Sequence, residues 1–191
     1  MDAPIPAGLD AEQTQNVVVI WREFKRAYPD VPGGMALALA AIVNAKAESN
    51  LRNVRTGIPG EDSAGLFQLN VTNPHGAALV GLIDRRLDPA ANTRGIIASL
   101  EDSGGPVFDA MANNQTVADI AGLFRRYVEK PANAAQRQTE TEDLTYSVWP
   151  QYAGDRAKTL PTLANVRVPF NYTTILIAAG AGLALFAFGV L

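Results

Sequence analysis

The chain has 191 residues, of which 48% are hydrophobic and 18% charged, with a formal net charge of −3 and no cysteine. That length can bury a core without cross-links, and the missing thiols exclude a disulfide framework, a thiol nucleophile and thiolate zinc sites. A single histidine, His75, excludes multi-histidine metal sites, and mild acidity without a Lys/Arg block argues against nucleic acid as a partner.

The first fifteen residues, MDAPIPAGLDAEQTQ, carry neither a basic start nor an apolar run, so no secretory signal is expected there. Asp10 with Gln13 reads as a capping box, and Val17, Ile20, Trp21, Phe24 and Tyr28 then recur at helical spacing. Pro29 and the Pro32-Gly33-Gly34 turn end this first helix. An alanine-rich apolar helix is expected from Met35 to Glu48, followed by a Gly/Pro/Asp loop from Asn50 to Ala64. Pro74 suits the first turn of a third helix, and Asp88-Pro89 starts a fourth with Ile96, Ile97 and Leu100 on one face. Gly104-Gly105-Pro106 reads as a turn. Thr116 caps a helix carrying Val117, Ile120, Leu123, Phe124 and Tyr127, and a last helix runs from about Asn133 to Tyr146. Strand signals are almost absent, so an all-α domain is expected over residues 1–149.

Residues 150–169 hold several prolines and no helical periodicity, which reads as an extended linker. From Val168 onward no residue is charged, and Ile175 to Leu191 holds only apolar residues and glycine. Those seventeen residues would make roughly 25 Å of helix, near the short end of what crosses a bilayer core. Tyr172 stands where an interfacial aromatic would sit. Residues 170–191 are therefore expected to be a single C-terminal transmembrane anchor behind a globular body.

The chemistry is concentrated between Ala41 and Asn70. Glu48 ends an apolar helix, where the negative end of the helix dipole and partial burial both disfavour its ionised form. A general acid needs that property near neutral pH. The bland reading of the same position is a solvated glutamate at a helix end.

Glu48-Ser49 followed by Ser63-Ala64-Gly65-Leu66-Phe67-Gln68 resembles the lysozyme-like superfamily, especially lytic transglycosylases and phage-borne peptidoglycan-cleaving enzymes. Asp88-Pro89-Ala90-Ala91-Asn92 looks like that family's Asp-Pro-x-x-Asn helix start. Tyr127-Val128-Glu129-Lys130-Pro131 is similar to a Phe-x-Glu-x-Pro segment of phage-tail lysozymes. The resemblance spans roughly residues 17–137 and implies a lysozyme-like fold. It implies that Glu48 protonates the glycosidic oxygen between N-acetylmuramic acid and N-acetylglucosamine, then acts as base. The base step closes a 1,6-anhydro ring in a transglycosylase or activates water in a hydrolase.

Ser63, Gly65, Phe67 and Gln68 would line the substrate cleft. Tyr127 would stand in for a family tyrosine whose Ala-Tyr-Asn setting is missing here. Ser63 is equally readable as a polar loop anchor, and Gly65 as a plain turn. Glu61 or Asp62 would be the second carboxylate of a hydrolytic muramidase, or else solvated loop charges. No metal or other cofactor is expected.

The partners implied are peptidoglycan glycan strands, a viral or bacterial bilayer through 170–191, and other proteins of a virion vertex or membrane. An enzyme without a signal that meets the cell wall suits a bacteriophage virion with an internal membrane, where it would aid genome entry. The alternative from another class is a structural virion or membrane protein that keeps the fold without activity.

Overall fold

The computed structural model describes residues 2–70 and 85–167. The expected helix at Pro74 and the expected anchor at 170–191 lie outside the described residues. Among the described residues no helix is long and apolar enough to cross a membrane.

The domain is helix-dominated and built around one central helix. Helix α1 (Ala11–Ala27) starts at the expected capping box: Asp10 Oδ1 accepts from the Gln13 amide at 2.9 Å, and Gln13 Oε1 accepts from the Asp10 amide at 3.0 Å. Helix α2 (Gly34–Ser49) is apolar on every side, and each residue from Gly34 to Ala45 is buried. A helix without a polar face must be wrapped by others, and α1, α5 (Val117–Phe124) and α6 (Ala134–Val148) pack around it. Its one interior amide, Asn44, donates to the carbonyls of Ala40 (2.9 Å) and Ala121 (3.1 Å), which ties α2 to α5.

Helix α3 (Pro89–Ser103) begins at Asp88, whose Oδ1 accepts from the Ala90 and Ala91 amides. A helix α4 (Gly105–Ala112) stands where the sequence suggested only a turn, because Pro106 occupies the first turn, where a missing N–H is harmless. A two-residue antiparallel hairpin, β1 (Ser63–Ala64) with β2 (Leu69–Asn70), encloses Gly65 to Gln68. Helix α5 passes into a five-residue π-turn, Arg125–Glu129, ended by Lys130 in the left-handed region.

Residues 150–167 differ from the extended linker expected for 150–169. Two 3₁₀ turns (Ala157–Thr159 and Leu163–Asn165) fold this strap onto the body, with Ala153, Ala157, Leu163 and Val166 buried. The Ala164 amide donates to the Pro29 carbonyl at 2.7 Å, Leu163 lies against Gly34, and Lys25 Nζ donates to the Val166 carbonyl. The strap is held by the start of α2 and the last turn of α1. Its buried apolar residues are its packing contacts.

Candidate active site

The last turn of α2 determines where Glu48 lies. The helix stops at Asn50 and Leu51, two successive residues in the left-handed region. Two buried polar side chains of α1 catch that turn: Gln13 Nε2 donates to the Asn50 carbonyl (2.9 Å) and Asn16 Nδ2 to the Leu51 carbonyl (2.8 Å). The Ser49 hydroxyl lies 3.0 Å from the Ala45 carbonyl and 2.8 Å from the Leu66 carbonyl. Ser49 thereby couples the end of α2 to the turn inside the hairpin. This is the physical link between the Glu-Ser pair and the Gly-Leu-Phe-Gln run.

That turn is held from beneath by Asn92 of α3. Its Oδ1 accepts from the Phe67 amide (2.9 Å), and its Nδ2 reaches the carbonyls of Ala64 (3.0 Å) and Arg86 (3.1 Å). Gly65 has φ +86°, and a Cβ there would stand 2.1 Å from Asn92 Nδ2. The glycine is demanded by the Asn92 contact, in keeping with the reading of Gly65 as a turn residue.

A cleft of about 230 Å³ opens between these elements, lined by Glu48, Glu61, Ser63, Phe67, Gln68 and Glu129. Ile96 and Ser99 of α3, and Val128 of the π-turn, complete its wall. Of the residues picked out in the sequence, Gly65, Asp62 and Tyr127 are not among those lining it. Asp62 faces Arg86, which holds both carboxylate oxygens at 3.0 Å, and Arg55 stands 3.7 Å away. Tyr127 lies under the Arg126 guanidinium, 5.3 Å from the ring centroid. Gln68 donates from Nε2 to the carbonyls of Gly65 (2.8 Å) and Val54 (3.0 Å), and Ser63 Oγ donates to Glu61 Oε1 at 2.7 Å. Both side chains therefore anchor the loop while lining the cleft.

Two further residues belong to this site: Arg125, which sequence reasoning passed over, and Glu129, which it quoted only within the Tyr127–Pro131 resemblance. Arg125, buried at the start of the π-turn, pairs with Glu48 through Nη1 and Oε1. A guanidinium favours the ionised carboxylate, so it opposes the helix-end and burial effects expected to keep Glu48 protonated. Burial in turn pulls the Arg125 guanidinium below its ordinary value, with the Glu129 carboxylate acting against that.

Glu129 ends the same π-turn. Burial pushes its carboxyl up to about 7, and the Arg125 charge only partly offsets this. The Glu129 Oε1 and the Arg125 Nε are both shut off from solvent, with no hydrogen-bond partner among the described residues. The signal for Glu129 in the sequence was its place in the Tyr127–Pro131 segment, four residues after an arginine. A π-turn shifts the register by a residue and leaves no pattern of its own, and Tyr127 was selected instead as the stand-in for the family tyrosine.

No family model, no curated protein and no solved structure matches this chain. Among the described residues no group of acidic or histidine side chains is disposed to hold a metal ion. The site offers carboxyl groups in contrasting surroundings within one cleft: Glu48 against a guanidinium, Glu61 against a hydroxyl and Glu129 in an apolar wall. Contrasting carboxyls of this kind suit proton transfer to and from a bound ligand.

Proposed function

We propose that this chain is a peptidoglycan-cleaving glycosidase of the lytic transglycosylase type, with a lysozyme-like fold and Glu48 as its acid/base group. The observation that carries the reading is the cleft itself. It gathers Glu48 with Ser63, Phe67 and Gln68, two pieces of sequence separated by a 13-residue loop whose only shared feature was the family motif. In this reading Glu48 gives its proton to the leaving glycosidic oxygen as the C1–O bond breaks. It then takes one from the muramoyl C6 hydroxyl as the anhydro ring closes. The apolar run at 175–191 would tether the enzyme to a membrane, in this reading the internal membrane of a virion.

A hydrolytic outcome is the second reading, and the cleft favours one of its two carboxylates. Glu61 lines the cleft, while Asp62 is occupied by Arg86. Glu61 is thus the residue that would activate water.

The test is clearing of purified peptidoglycan in a gel by the full chain and by Glu48→Gln. A general acid contributes about 10²–10⁴-fold to the rate, and a loss of that size is expected. Equal clearing by both would remove Glu48 from the mechanism, and clearing by neither would favour a structural protein of the same fold. Mass spectrometry of the released muropeptides separates the outcomes: anhydro ends are expected, and reducing ends throughout would make the enzyme a hydrolase using Glu61.

A further inference from the structure

Among the described residues Arg125 pairs with one carboxylate, and a second acidic residue lies within the same turn. The guanidinium meets Glu48 through Nη1, while its Nε, shut off from solvent, has no acceptor among the described residues. Glu129 closes the π-turn that Arg125 opens, and its Oε1, equally shut off, has no donor among the described residues. These are two halves of an ion pair that is not made. Buried polar atoms are seldom left in this condition, and a π-turn inside a helix is itself a recurrent feature of functional sites. Both carboxyls line the cleft, and both act on this cation, Glu48 by direct pairing and Glu129 through its charge.

We propose that Glu129 is a positioning residue for Glu48, acting through Arg125: the Glu129 carboxylate draws the guanidinium away from Glu48, and its protonated form leaves the Arg125–Glu48 pair intact. The inference rests on the glycosidase reading for its consequence in catalysis, and on the cleft geometry alone for the pairing.

The charged groups around this pair come from three elements. Glu48 faces it from α2, Arg137 and Glu140 act on Arg125 from α6, and Glu61 lies across the cleft on the loop before β1. The α3 residues that line the cleft, Ile96 and Ser99, carry no charge. Glu129 is the member of this set whose carboxyl is raised into the neutral range, by burial.

The sign follows from this arrangement. Below neutrality Glu129 is uncharged and Arg125 belongs to Glu48, which favours the Glu48 carboxylate. As pH rises through about 7, Glu129 ionises and takes a share of the guanidinium. Glu48 then loses part of a cation and gains a neighbouring anion, and both changes raise its affinity for a proton. The acid form needed to protonate a leaving group persists to higher pH than Glu48 alone would allow.

The experiment compares the full chain with Glu129→Gln, which keeps the shape of the protonated carboxyl, in detergent between pH 5 and 9. Peptidoglycan cleavage and the ¹³C carboxyl signal of Glu48 are both followed. The wild-type to variant rate ratio is expected to be near one at acid pH and to rise to about tenfold at pH 8, the equivalent of one pKa unit at Glu48. The Glu48 signal should show an inflection near neutrality that the variant lacks. A ratio constant with pH, or identical Glu48 titrations, would overturn the inference and leave Glu129 a structural residue.

Should Glu129→Gln fail to fold, Arg125→Lys takes its place, since lysine keeps the charge without the planar fork. A flattened Glu48 inflection is expected there, and an undiminished one overturns the proposal. Absence of cleavage by wild type at every pH would defeat the enzymatic reading, while the Glu48 titration would still decide the pairing.

Discussion

Gly65 is the residue least open to change in the hairpin turn. Its φ of +86° already disfavours any side chain, and a Cβ would meet Asn92 at 2.1 Å and the Arg86 carbonyl at 2.4 Å. Neither neighbour is the free end of a flexible chain, because Asn92 is bonded to three backbone groups. Gly65→Ala is expected to lower stability by about 3 kcal/mol, combining backbone strain with overpacking, and chemical denaturation measures it.

Glu129 makes the opposite kind of statement at the same scale. Its folded carboxyl is raised from 4.5 to about 7 by burial, so between those values the native state holds a proton that the unfolded chain releases. Stability therefore falls as pH climbs through that window, by on the order of 3 kcal/mol, and levels off above it. Glu129→Gln should remove this slope, which melting curves at a series of pH values would register.

At the scale of elements, α3 supports the site from its first turn. Asp88 caps it through the Ala90 and Ala91 amides, with Arg85 2.6 Å away. Burial raises the Asp88 carboxyl, but those two amides and Arg85 prevail and hold it below its usual range. The cap's contribution is therefore complete above the ordinary carboxylate range and is lost as pH falls through the folded value. Asp88→Ala should cost about 1 kcal/mol at neutral pH and less in acid.

Asn92 stands one turn further on. Asn92→Ala would orphan the Phe67 amide and two carbonyls, and a loss of about 2–3 kcal/mol is expected together with a loosened cleft wall.

Caps of this kind were legible in the sequence, because they are local: Asp10, Asp88 and Thr116 each announce a helix a few residues away. The apolar identity of α2 was equally legible, since a run without a polar face can only be central. Long-range partners were not. Nothing near Glu48 in sequence names Arg125, 77 residues later. Nothing near Asp62 announces that Arg86 will occupy it. Helix α4 was missed because eight residues carry too little periodicity to outweigh a Gly-Gly-Pro turn signal.

Across the whole molecule, the strap is part of the fold. Trp149 is fully buried and donates from Nε1 to the Leu39 carbonyl at 3.2 Å, and the residues after it cover the beginning of α2. Two truncations separate a strap from a linker. A chain cut after Arg167 should melt cooperatively near the temperature of the full chain. One cut after Trp149 should lose several kcal/mol, because Ala153, Ala157, Leu163 and Val166 would leave an apolar face open to water. Equal stability of the two would make the strap's burial inconsequential.

The strap also fixes where the chain leaves the body. The Ala3 amide donates to the Arg167 carbonyl at 2.6 Å, beside the last turn of α1, so residues 3 and 167 meet at one pole. Glu48 is at the other pole, since α2 runs from the strap to the cleft over 16 residues, or about 24 Å. The exit point of the described chain and the cleft therefore face opposite ways. A tether attached beyond Arg167, as the proposed function has it, would hold the cleft away from whatever it is fixed to.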